Sequence, residues 1–412
     1  MIHFEKFSLD NGLTVMVNTD KSTQMVAMNI LYKVGARNED PAMTGFAHLF
    51  EHLMFGGSVN IPSYDQPLQA AGGENNAFTN NDFTNYYLTI PAHQVETAFW
   101  LESDRMLSLA FSEKSLEVQR NVVVEEFKQR YLNQPYGDAW LKLRPLAYQV
   151  HPYRWATIGM EVAHIEDAVL DDVKNFFGRF YHPSNAIMAL SGNITLERAK
   201  ELTEKWFAPI PAGKKTVHDW LSEPTQNASR RSETTGHVPY PALYKAWHCC
   251  ARTDQEFHAT DLLTDVLSSG KSSRLYNSLV KDQQLFTNIS AYTLGDLDPS
   301  LIVAEGKLRD GVKLEDAERA LDTELSIICH DLISDDELER IHNKAESTNL
   351  FGETNIANRA LNLCYYEMNG DANEANNQVS RYRETTPEMI RDVAKSVFRS
   401  ENSSTLVYLP QN

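Results

Sequence analysis

The chain has 412 residues with 38 basic and 56 acidic side chains, a net charge of −18, and length enough for two or three domains. That acidic balance excludes a nucleic-acid binder held by a basic patch, and apolar runs such as Ala186 to Leu190 fall far short of the ~20 residues needed to span a bilayer. A 42% hydrophobic and 10% aromatic content excludes a disordered, highly charged chain.

The opening, MIHFEKFSLD, alternates as a strand does and lacks the basic, apolar and small-residue succession of a secretory signal. As written the chain reads as cytoplasmic, or as periplasmic or otherwise placed if a signal has been removed. Cys249, Cys250, Cys329 and Cys364 show no CxxC spacing, which fits buried or free thiols in a reducing compartment. Phe7, Leu9, Leu13, Val15 and Val17 alternate around the turn signal Asn11-Gly12, and Met25 to Val34 continues the strand pattern.

From Thr44 the period becomes helical. Phe46, Leu49, Phe50 and Leu53 share one side, and Gly56-Gly57 closes a helix running from about Gly45 to Phe55. Val95 to Ser108 and Ser112 to Leu132 carry i, i+3, i+4 apolar spacing, the second with Ser112 as N-cap. Asp167 to Phe180 reads as a further helix and Ala186 to Leu190 as a buried strand. The passage Pro209 to Thr235, with IPAGKK and TQNASRRSETT, breaks the periodicity between two halves of similar length. A slide of 213 lays LSSG (Leu267 to Gly270) on MFGG (Met54 to Gly57), and a slide of 220 lays Asp392-Val393 on Asp172-Val173. The expected class is α+β, in two structurally similar domains, each a mostly antiparallel sheet covered by helices. The expected boundaries are 1–212, a linker at 213–235, and 236–412, whose last strand is Thr405 to Leu409.

The chemistry concentrates in GFAHLFEHLMFGG, Gly45 to Gly57. His48 and His52 are four apart on a helix, so both imidazoles leave the same face and reach one metal ion. Glu51 stands beside that face, placed to take a proton from a water molecule, and H-x-x-E-H is the inverted zincin pattern. Zinc suits two imidazoles and one carboxylate with a fourth position left for water. The third ligand must come from another rigid element, and Glu125 and Glu126 in RNVVVEEFKQR are the candidates between which spacing does not choose. Glu102, Asp104 and Arg105 in LESDRM read as a structural salt-bridge group on a helix.

HLFEH (His48 to His52), GGENNAFTNNDFTNYY (Gly72 to Tyr87) and QRNVVVEEFKQR (Gln119 to Arg130) together resemble the pitrilysin family of zinc metallopeptidases, the family of insulin-degrading enzyme and the mitochondrial processing peptidase. HPYRWATIG and FYHPSNAIMALSGNI extend the likeness through the first half. The resemblance implies a zinc endopeptidase with one Zn2+ per chain, held by His48, His52 and Glu126, with Glu51 as the catalytic base and Glu125 turned about 100° away. It further implies that Asn76, Ala77, Phe78 and Thr79 lie on an edge strand that takes a peptide as an added strand, Asn76 holding the scissile amide.

The chain departs from the family's pattern at Gln119, where relatives often carry Glu. In the second half the 213-residue slide lays His48, Glu51 and His52 on Asp261, Thr264 and Asp265, which cannot rebuild a zinc site. The Arg and Tyr seven apart that relatives often supply are missing from Val280 to Thr287, and Arg274 and Tyr276 have the wrong spacing. A half-size member of this kind implies a second chain, expected to be a family subunit lacking the zinc motif in a heterodimer, alternatively a second copy in a homodimer. The expected partners are thus a peptide substrate and that subunit, with no nucleic acid and no membrane span. The rival reading is a non-catalytic peptide-binding or scaffold subunit of the same family.

Overall fold

The computed structural model describes residues 1–214 and 220–411. They form two compact units, one of Met1–Phe127, Ala156–Trp220 and Asn349–Asn377, the other of Lys128–Trp155, Leu221–Thr348 and Gln378–Asn412. Among the described residues no helix is long and apolar enough to cross a membrane.

The first unit is built on β1 (Glu5–Ser8), β2 (Thr14–Thr19), β3 (Met25–Tyr32), β4 (Glu74–Thr79), β5 (Thr84–Pro91) and β6 (Ala186–Gly192), in the order β1-β2-β6-β3-β5-β4. Only the β2–β6 pairing is parallel. The second unit has β7 (Arg230–Gly236), β8 (Ala242–His248), β9 (Phe286–Thr293), β10 (Leu301–Leu308) and β11 (Ser403–Pro410), in the order β7-β11-β8-β10-β9. Here only β7–β11 is parallel. Apart from β1 the two sheets repeat one another strand for strand. Three counterparts start at residues 25 and 242, 84 and 301, and 186 and 403, a constant offset of 217 that lies between the two slides read from the sequence.

Alternation along the strands explains why each sheet needs helices on both faces. In the second unit Leu243, Trp247, Ile302 and Val407 pack with Leu262, Leu263 and Val266 of the helix Phe257–Ser268. Their neighbours Ala242, Tyr244, Ala246, Val303 and Leu406 pack on the opposite side with Ala139, Leu143 and Ala147 of the helix Ala139–Ala147. In the first unit Met16, Ala27, Leu31, Ile187 and Ala189 pack with Ala360, Leu363 and Cys364 of the helix Ile356–Met368.

This packing corrects the expected boundaries. Ala139–Ala147 falls inside the expected first domain but belongs to the second unit, and Ile356–Met368 does the reverse. Each covers a sheet face that its own stretch of chain would leave bare. The expected linker at 213–235 also contains most of β7, which pairs with β11 from Arg230 onward, while residues 215–219 lie outside the described part. The helix expected over Ser112 to Leu132 is α-helical over Glu113–Phe127 and ends in a π-helical turn, Lys128–Leu132. Ser112 caps it, its hydroxyl accepting from the Ser115 N–H at 3.0 Å. The helix expected over Asp167 to Phe180 is divided into Val162–Glu166 and Leu170–Phe180.

Candidate metal centre

The helix Phe46–Leu53 presents Phe46, Leu49, Phe50 and Leu53 to the core and leaves His48, Glu51 and His52 half-buried on its other side. Phe50 stacks on Phe176 and Tyr181 with ring centroids 4.9 and 5.2 Å apart, which fixes the helix against Leu170–Phe180. Its entry is set by Gly45, at φ 91°, where a Cβ would come within 2.7 Å of the Ile158 carbonyl oxygen. Gly45 has no side chain to cap the first turn. The buried carboxylate of Glu39 does so, accepting from the N–H groups of Gly45 at 2.9 Å and Ala47 at 2.8 Å.

The helix Glu113–Phe127 buries Val123, Val124 and Phe127, which turns Glu126 inward and leaves Glu125 exposed. The two adjacent carboxylates are thereby separated. The Glu126 Oε2 atom lies 3.7 Å from His48 Nε2 and 3.5 Å from His52 Nε2, and the two imidazole rings stand edge to face at 88° with centroids 4.9 Å apart. One donor atom from each of His48, His52 and Glu126 lies within 4.8 Å of the others, and among the described residues this is the one such group that could hold a metal ion. A tetrahedral ion with bonds of about 2.1 Å separates its ligand atoms by about 3.4 Å, so the three donors fit one ion with little movement.

Glu51 is held from β4. The Thr79 hydroxyl donates to Glu51 Oε2 at 2.7 Å. Burial raises the Glu51 pKa above its ordinary value, opposed by the Thr79 hydroxyl and by His52, while the neighbouring Glu126 pushes it further up. A carboxyl group raised in this way is a better proton acceptor toward neutral pH.

β4 is an edge strand, as the resemblance implies. The side chains of its predicted substrate-binding residues divide between its two faces. Thr79 faces Glu51, and Ala77, two residues away, shares that face. Phe78 faces the other way, with its ring 5.7 Å from Phe83 and packed on the core under Ile356–Met368. Asn76 shares the Phe78 side of the strand, and its side-chain oxygen accepts from the Ala77 N–H at 2.8 Å. The period of two places the Asn76 side chain on the face of β4 opposite Thr79. Of LESDRM, Glu102 and Arg105 form a buried bidentate pair, whereas Asp104 accepts from Asn60 at 2.7 Å and from Ser58.

In the second unit the positions matched to the zinc motif are engaged otherwise. Asp265 accepts from Lys344 at 2.6 Å and Asp261 from the Tyr382 hydroxyl at 2.5 Å. Arg274 donates through Nε and Nη2, one edge of its guanidinium, to the two carboxylate oxygens of Glu337 at 2.8 and 2.9 Å.

Two family models match in chain order: Insulinase (Peptidase family M16) over residues 14–143 and Peptidase M16 inactive domain over residues 167–345. The chain belongs to peptidase family M16. The M16 chain is 28% identical over 417 residues to the zinc protease PqqE of Helicobacter pylori, covering 98% of this chain and 93% of the relative. It is 24% identical to the zinc protease YmxG of Bacillus subtilis, covering 81% of each. The crystal structure of a protease from Helicobacter pylori superposes with a TM-score of 0.94 at 26% identity over 100% of both chains. The periplasmic protease PqqL of Escherichia coli shares the fold, with a TM-score of 0.79 at 18% identity, and 98% of this M16 chain spans 47% of that one. Sequence reasoning missed Glu39 as the cap of the motif helix and Thr79 as the partner of Glu51, and neither carries a local signal, since each acts across a loop or a sheet.

Proposed function

We propose that the chain is a zinc endopeptidase that hydrolyses peptides or unfolded segments lying along β4. The observation that carries this reading is the convergence of His48, His52 and Glu126 on one point, beside a carboxylate, Glu51, that binds none of them. Zinc held by these three residues would supply Lewis acidity and bring the pKa of a coordinated water down to about 7. Glu51 takes the proton of the attacking water and returns it to the leaving amine. The unpaired edge of β4 gives an extended peptide backbone hydrogen bonds, with little demand on its side chains.

The inactive-domain match covers residues 167–345 and so includes none of His48, Glu51, His52 and Glu126, which favours the catalytic reading over that of a scaffold subunit. The deciding experiment pairs metal analysis with hydrolysis of an internally quenched, unstructured peptide. Glu51→Gln is expected to keep one zinc per chain and lose turnover, and substantial remaining turnover overturns the proposal.

A second chain belongs to the same reading. Arg274, already engaged by Glu337, is not free to supply the substrate contact from a second copy, which favours a family subunit without the motif. A fully active monomer by light scattering would argue against both forms of dimer.

A further inference from the structure

The three hydroxyl and carbonyl groups behind Glu51 leave no choice about where protons go. Thr79 and Thr84 are directly paired across β4 and β5, with their hydroxyl oxygens 3.4 Å apart. Thr84 is fully buried and donates its single proton to the Val34 carbonyl at 2.8 Å, and that carbonyl oxygen can only accept. Thr84 therefore has nothing to give to Thr79 and can only accept from it. The Thr79 proton goes instead to the nearer and charged acceptor, Glu51 Oε2 at 2.7 Å. Among the described residues Oε1 of Glu51 accepts from no side chain.

We propose that Thr79 is a positioning residue for hydrolysis, holding Oε2 of Glu51 so that Oε1 alone receives and returns the proton. This deepens the reading of Glu51 as proton acceptor and rests on it. As the water oxygen bonds to the peptide carbonyl carbon, its proton passes to Oε1. The same proton passes from Oε1 to the amide nitrogen as the C–N bond breaks, giving a carboxyl and an amine and restoring Glu51. Throughout, Oε2 keeps its bond from Thr79, because the Thr79 hydroxyl has no alternative acceptor as good. The bond from Thr79 thereby fixes the plane of the carboxyl group and keeps its other oxygen turned to the water. The role assigned to Thr79 is thus distinct from contact with a bound peptide.

The test compares Thr79→Val, which keeps the shape and removes the proton, with Thr79→Ser, which keeps the proton, in the zinc-loaded protein. Thr79→Val is expected to lower kcat about 10- to 100-fold with KM changed less than about threefold, and Thr79→Ser to recover most of the loss. Zinc content and the thermal midpoint of the zinc-free protein are expected to match wild type in both, which separates positioning from a structural defect. An unchanged kcat in Thr79→Val, a rise in KM alone, or equal damage from both substitutions overturns the assignment. Glu51→Gln in the same assay separates the two readings. If it stays active, the proton-acceptor role itself fails, whereas an inactive Glu51→Gln beside a fully active Thr79→Val sinks only the role of Thr79.

Discussion

At the scale of single residues, the division between Glu125 and Glu126 follows from helix geometry, because neighbours on a helix point about 100° apart and only Glu126 faces the imidazoles. Glu126→Gln is expected to weaken zinc binding by more than the about 10- to 100-fold that loss of an outer partner costs, while Glu125→Gln leaves it unchanged, as titration with a competing chelator would show. His48 and His52 were legible in the sequence from their spacing of four on one helix, whereas Glu126 was set apart from Glu125 only by the resemblance to the family's motif and not by the apolar spacing. The sides taken by Asn76 and Thr79 were not legible. Which face a strand residue occupies depends on register, and a slip of one residue reverses every assignment. Arg105 and Glu102 were legible as a pair but not in their depth, being 2% and 1% exposed, with the guanidinium 4.4 Å from the centre of the Tyr86 ring. Arg105→Met leaves Glu102 buried without its cation, with only the Tyr64 hydroxyl still donating to it, and is expected to cost about 3–5 kcal/mol in urea unfolding, with zinc stoichiometry retained in the folded fraction.

At the scale of elements, the entry of the motif helix carries more than its sequence suggests. Gly45 combines a left-handed backbone with a close approach to Ile158, so Gly45→Ala strains the first turn and displaces the Glu39 cap. The expected result is a lower thermal midpoint together with weaker zinc binding, since His48 lies within the strained turn; an unchanged midpoint would show that the turn relaxes freely. The helix Asp335–Gly352, in contrast, has a cap written in its sequence as Ser334-x-x-Glu337. Ser334 and Glu337 bond one another's backbone N–H groups, and Glu337 also binds Arg274. Arg274 above all, with the Ser334 bonds, lowers the Glu337 pKa from 4.5 to about 2 against the opposing effect of burial. Because the folded value lies below the unfolded one, the stabilisation is present above about pH 4.5 and is lost as the pH falls toward about 2. Acid unfolding of Glu337→Gln is expected to show a shallower loss of stability over that window than wild type, and identical curves would place the acid sensitivity elsewhere.

At the scale of the whole chain, the two units share one topology, and their agreement extends beyond the strands. The helices Ala139–Ala147 and Ile356–Met368 start at residues 139 and 356, the same offset of 217 that relates the strands, and each covers the sheet of the unit to which the other would belong by sequence order. The repeat was partly legible, through LSSG and MFGG, because local helix endings leave local marks; the exchange was not, since nothing in an amphipathic helix of 9 or 13 residues states which of two similar sheets it covers. The exchange has a direct consequence for stability. A fragment ending at residue 212 contains the complete zinc motif, including Glu126, and all six strands of the first sheet, yet lacks Ile356–Met368. Ala27, Leu31, Ile187 and Ala189, all buried in the full chain, would then face water. At about 25 cal/mol per Å2, uncovering roughly 200–300 Å2 of apolar surface costs about 5–8 kcal/mol, which is comparable with the 5–15 kcal/mol by which domains are ordinarily stable. The fragment is therefore expected to bind a hydrophobic dye, to unfold without a cooperative transition and to hold zinc poorly, and supplying residues 349–377 as a separate peptide should restore cooperativity and metal binding together. A fragment that folds cooperatively and binds zinc without the peptide would show that the exchanged helix is dispensable, and the metal site would then be a property of the first 212 residues instead of a property of a chain folded back on its own repeat.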